Sequence, residues 1–240
     1  VIRELALERG NMYPWQQILT DLAHLSAWPV FVGLLITSSV IVVASDWRFW
    51  LWSLLAQYIL LGVLHMRVLG PELALTKMVA GALVCPMLYW AARSVESERA
   101  HKAEVERERI TKEKGEVPLP PLPWPVRSTN WMFRLLTTLL LFLVLYSVSR
   151  SLPEGLLLVD ADIAPVCIWL WLVGLLVLVL TSEPLPAGVG LLTLVSGFDL
   201  FFDAFSPGLV GLGILSAITL LLGLAISYLT TVRELTGELL

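Results

Sequence analysis

Long apolar runs, each close to a membrane thickness in helical length and separated by short polar stretches, dominate the chain from residue 29 onward. Seven of them stand out, at about 29–45, 48–66, 72–92, 131–149, 162–181, 186–205 and 208–230. An α-helix rises about 1.5 Å per residue, so roughly 20 residues cover the ~30 Å hydrocarbon core of a bilayer. None of the runs alternates with the period of a barrel strand. Backbone N–H and C=O groups must be paired internally in hydrocarbon, so each run is predicted to be helical. The expected fold is all-α, a polytopic integral membrane protein with about seven transmembrane helices. Pro29 after Ser26, Pro71 before Glu72 and Pro207 after Ser206 mark helix entries, because proline is tolerated in a first turn and polar residues cap it.

The polar stretches divide the chain. In residues 1–27, Trp15, Ile18, Leu19, Leu22 and Ala23 recur at helical spacing with Gln16, Gln17, Asp21 and His24 between them. This predicts an amphipathic interfacial segment, or a helix packed on a neighbouring subunit. It lacks the apolar stretch and small-residue cleavage site of a signal peptide. Residues 28–93 form a first three-helix membrane unit. In residues 94–130, the charged stretch to Glu116 carries Glu98 and Lys102, then Glu108 and Lys112, in the favourable i,i+4 order, so the third span should run on as a solvated helix to Gly115. Pro118 to Pro125 then favours polyproline II and serves as a stiff connector. Residues 131–150 make a linking transmembrane helix, and 160–232 a second three-helix unit.

Those two units align with each other. A shift of 137 residues lays Ile41-Val42-Val43-Ala44-Ser45-Asp46 over Leu178-Val179-Leu180-Thr181-Ser182-Glu183, and continues without gaps to put Pro71 on Gly208 and Arg93 on Thr230. The pattern is that of a duplicated helix triplet. Three crossings reverse sides, so two parallel copies need one more crossing between them, and the span at 131–150 supplies it: a 3+1+3 arrangement.

Composition agrees. The 240 residues are 57% apolar and 15% charged, against about 25% charged in soluble domains. A net charge of −4 gives no support for a nucleic-acid partner. Cys85 and Cys167 sit in separate apolar runs, which argues against a disulfide or metal framework. Eight of the 16 Lys and Arg lie between Arg93 and Arg127. Placing that loop in the cytoplasm puts 11 basic residues inside and five outside, which predicts the N-terminus out and the C-terminus in, in the plasma or inner membrane. Many of the ten Trp residues fall near inferred interfaces, Trp90, Trp169 and Trp171 included, as an aromatic belt requires. Gly208, Gly211, Gly213 and Gly223, with Ser216 and Ala217, offer a surface for close helix approach.

Ionisable side chains at depth are costly and mark function first. Lys77, Asp199 and Asp203 are the candidates. Lys77 lies about a turn and a half into the third span. Asp199 lies about two-thirds along the sixth, with Asp203 one turn further out on the same face. An intramembrane pair of Lys77 with Asp199 is expected, with Asp203 a second carboxylate closer to water; alternatively Lys77 snorkels and Asp203 ends its helix. Gln57 is mid-span and neutral, and Arg134 near the inner end of its span reads as a snorkelling residue. His65, at the outer end of the second span, has no facing partner for a haem. No phosphate-binding glycine loop, nucleophile triad or HExxH motif is present, so neither a cofactor nor catalysis by the chain itself is expected.

Trp47-Arg48-Phe49 through Gln57, Leu75-Thr76-Lys77 followed by Pro86 to Arg93, and Gly190 to Asp199 followed by Leu220 to Thr230 carry a resemblance. With these stretches the chain resembles the membrane component E of hydrogenase-4 and formate-hydrogenlyase complexes, itself similar to the K-type subunit of complex I. The resemblance implies a membrane subunit among other membrane subunits, in an arm where glutamates of the K-type helices take part in proton transfer. The chain departs from it: Val195 or Leu192 stands where a helix-two glutamate would fall, and no acidic residue lies between Pro207 and Thr231. The expected function is therefore a non-catalytic scaffolding or coupling subunit of an energy-transducing, ion-translocating complex, with a small stand-alone secondary transporter as the alternative.

Overall fold

A computed structural model describes residues 27–44, 46–114, 128–151, 163–181, 183–206 and 208–236. The expected interfacial segment, the proline-rich connector and the acidic group Glu154, Asp160 and Asp162 lie outside the described residues. Seven helices are described: α1 Ala27–Val43, α2 Trp47–Leu69, α3 Pro71–Lys114, α4 Ser128–Ser151, α5 Ala164–Leu180, α6 Pro184–Phe205 and α7 Leu209–Thr236. Among the described residues there is no strand.

Five of these helices, α2, α3, α4, α6 and α7, are long and apolar enough to cross a membrane. α1 and α5 are apolar helices of 17 residues each, about 25 Å long and at the short end of what spans hydrocarbon. Both open a triplet. α1 and α5 begin and end 137 residues apart, and α2 and α6 begin 137 apart; α7 begins 138 after α3, so the offset grows by one at the second turn. Corresponding helices also touch, α1 with α5, α2 with α6 and α3 with α7, as two copies related by a two-fold axis would.

The turns explain the tightness of each triplet. After α1, Trp50 donates its indole N–H to Ala44 O at 2.8 Å, covering a carbonyl that the helix end leaves open. After α2, Gly70 adopts φ +86°, where a side chain would be strained, and Pro71 starts α3 at once. Gly174 of α5 and Gly190 of α6 let the two helices approach to backbone contact. A methyl on Gly174 would sit 2.7 Å from Leu194 N and 2.8 Å from Gly190 O, both backbone atoms.

Several expectations change here. Of the glycines singled out in the last span, Gly211 and Gly223 face Phe202 and Val84, but Gly213 faces open space and Gly208 has only the Ser206 carbonyl at 4.0 Å. Trp169 is no interfacial residue: it is 1% exposed and donates to Ser38 Oγ at 2.6 Å, because an indole buried between helices needs a partner for its N–H. Arg134 points at the end of α1, where its guanidinium lies 3.3 Å from Val42 O. It thus meets an open carbonyl at the negative end of a helix. α4 itself packs mainly on α1 and α5 and leaves most of its described side chains exposed.

Candidate functional site

The end of the bundle that carries the α2–α3 and α6–α7 turns gathers the ionisable groups. His65 comes five residues before Gly70 and Lys77 seven after it, so the hairpin brings both to one level. α6 runs alongside α2 and opposite to α3. Its Asp199 and Asp203, one turn apart on one face, therefore reach the same level near the α6 C-terminus.

Lys77 Nζ donates to both carboxylates, Asp199 Oδ1 and Asp203 Oδ2. His65 Nε2 lies 3.3 Å from Asp203 Oδ2 and 3.9 Å from Asp199 Oδ2. Its other nitrogen, Nδ1, is 2.8 Å from Leu61 O. A carbonyl only accepts, so Nδ1 carries a hydrogen, and any proton the ring gains or loses is the one on Nε2, facing the carboxylates. The side chains of Lys77, His65 and Asp203 are 5%, 4% and 0% exposed, and that of Asp199 15%.

Sequence reasoning singled out Lys77, Asp199 and Asp203, and these three meet. Burial does not follow position along the helix: the Asp203 side chain is 0% exposed and that of Asp199 15%, although Asp203 stands one turn nearer the end of α6. Asp203 does not end its helix either. α6 continues to Phe205, and the Ser206 N–H caps it on Phe202 O at 2.8 Å. His65 was missed as a member. Its signal was present, since a histidine five residues before a tight turn and a lysine seven after it must share a level.

With a neutral imidazole, one ammonium faces two carboxylates and the cluster carries one net negative charge; one proton on His65 Nε2 brings it to zero. In either state Lys77 bridges the two carboxylates and keeps them in place. A metal is a poorer fit. Ligand atoms of His65, Asp199 and Asp203 lie within 4.8 Å of one another, but an ammonium already takes one oxygen of each carboxylate, and a metal ion would have to expel it.

Deeper along the same side of α2 lies Gln57, 0% exposed with neither amide atom hydrogen-bonded. At the opposite end of the bundle Arg48 and Glu96 pair at 3.6 Å, but both are more than half exposed and the pair contributes little. No family model matches the chain, and neither does any curated protein or solved structure.

Proposed function

We propose that this chain is a non-catalytic membrane subunit of a multisubunit, ion-translocating complex of oxidoreductase type, resembling hydrogenase-4 component E, and that its ionic cluster couples ion movement to the packing of the bundle. The observation that carries this reading is the clasp of Lys77 by Asp199 and Asp203, with His65 as the fourth member. Such a cluster is a poor device for stability alone, because buried ion pairs are often no better than apolar packing of the same volume. It is a good device for coupling. Three of its elements come from both triplets, α2 and α3 from the first and α6 from the second, so a change in its charge bears on the contact between the two copies. The long charged end of α3 and the broadly exposed α4 offer surfaces to other subunits, and the charge distribution favours the inner membrane with the N-terminus out.

Purification in mild detergent, with identification of co-migrating proteins, tests the reading. A stoichiometric complex whose ion translocation falls in His65→Gln and Asp203→Asn supports it. The alternative, a small secondary transporter, draws on the two-fold relation of the triplets, which transporters share. A monodisperse monomer or homodimer that takes up solute after reconstitution would favour that alternative.

A further inference from the structure

A small chamber of about 20 Å³ opens beside Lys77, between α2, α3, α6 and α7. About 10–15 Å³ of such space suffices for one water, and a water also needs two to four polar partners. The lining supplies them with matching polarity. The Tyr58 hydroxyl, in a side chain only 7% exposed, lies beside Ser196 without a well-formed hydrogen bond, and Ser216 Oγ has no partner among the described residues. Ser196 and Thr219 spend their hydrogens on Leu192 O at 2.8 Å and Leu215 O at 3.0 Å, which leaves lone pairs for the chamber. Lys77 has three N–H donors and two carboxylate partners.

We propose that this chamber holds one water molecule, that the water extends the cluster inward to Tyr58, and that the ion handled here is the proton and not a metal cation. This rests on the reading of the cluster as an ion-coupling site. A water accepts from Tyr58 and Lys77 and donates to Asp199 and to one hydroxyl oxygen, so that the Tyr58 hydroxyl and the third N–H of Lys77 both gain an acceptor. A sodium or potassium ion has no lone pair to offer the two donors and is repelled by the ammonium beside it. The place between the carboxylates, where a cation would bind best, is already filled by Lys77, a cation tethered to the chain.

The proton step is a simple exchange. Water protonates His65 Nε2 and leaves as hydroxide, or hydronium delivers the proton and leaves as water; in either case the imidazole becomes imidazolium and no other bond changes. The groups around it are few: α2 brings Tyr58 and His65, α3 Lys77 and further along the buried Cys85 thiol, α6 the two carboxylates, and α7 only hydroxyls.

The test is infrared difference spectroscopy of the purified full chain between two pH values, in ordinary and in ¹⁸O water, with sodium chloride exchanged for choline chloride at constant pH. The expected result is a carboxylate and imidazole difference, an ¹⁸O-sensitive water band that is lost in Tyr58→Phe and in Ser216→Val, and no response to sodium. A saturable sodium response, or a water band unchanged in both variants, overturns the proposal. Thermal unfolding adds a readout with a sign. If the water bridges Tyr58, Tyr58→Phe loses a hydrogen bond and Tm falls by about 2–4 °C; if the chamber is empty, removing an unpaired hydroxyl raises it. His65→Gln separates the two readings. If the pH difference persists unchanged in that variant, the cluster loads no proton and both readings fail; if it vanishes while the wild type shows no ¹⁸O-sensitive band, the water alone is overturned.

Discussion

Lys77 holds two buried carboxylates at once, and its removal leaves both without their cation. Breaking a buried pair by removing one partner typically costs about 3–5 kcal/mol, so Lys77→Met should lower thermal stability in detergent by that order. Asp199→Asn should be milder than Asp203→Asn. The first leaves Lys77 bonded to Asp203, whereas the second removes the group that meets both Lys77 and His65 and that has no access to water. Equal losses in the two aspartate variants would show that the cluster is not organised around Asp203. Adding Asp203→Asn to Lys77→Met should recover part of the loss, since one stranded charge is then gone. At this scale the sequence was informative where a residue type is rare in its surroundings: a lysine and two aspartates in apolar runs cannot be overlooked. It was silent where partners come from distant helices. Nothing near Ser38 announces that Trp169 will donate to it 131 positions later, and the burial of Asp203 below His65 depends on packing that no local spacing encodes.

Between elements, three glycines let α5 approach α6: Gly174 on α5 and Gly190 and Gly197 on α6. Gly174→Ala would drive a methyl into backbone atoms, which cannot rotate away, so it should destabilise by about 1–3 kcal/mol despite the better helix propensity of alanine. Gly33→Ala meets only the terminal methyls of Leu60, which can turn, and should stay within about 1 kcal/mol of the wild type. Unfolding midpoints of the two variants side by side are the check; a harmless Gly174→Ala would mean that the helices are further apart than described. Helix positions were legible because apolar runs of this length have one solution in lipid, and the ends of α1, α2, α5 and α6 lie within a few residues of the runs. Which glycines matter was not legible. The dense group in the last span drew attention by number, yet Gly213 meets nothing, while Gly174, alone on α5, and Gly190 on α6 count because they face each other.

The arrangement of the whole molecule makes the most direct claim, that the turns alternate between two faces of a membrane. The α2–α3 and α6–α7 turns share one end of the bundle with the ionic cluster, because His65, Lys77 and Asp203 lie within two turns of those ends and touch. The α1–α2 and α5–α6 turns must occupy the other end, and the charged extension of α3 emerges there too, where Arg48 reaches Glu96. Counting charges along the sequence leads us to propose that this second end is the cytoplasmic one, since most lysines and arginines of the chain are expected on it. Native Cys85 and Cys167 are both buried and free, so single cysteines introduced at exposed turn positions can be read without background. Glu72→Cys and Ser206→Cys should react with a membrane-impermeant thiol reagent applied to intact cells. Asp46→Cys and Glu183→Cys should react only after the membrane is opened. Reaction of one residue from each pair on the same face would break the relation between the two triplets. Reaction of both pairs in the reverse order would leave the bundle intact and invert its orientation, placing the cluster, and whatever proton it exchanges, at the cytoplasmic face.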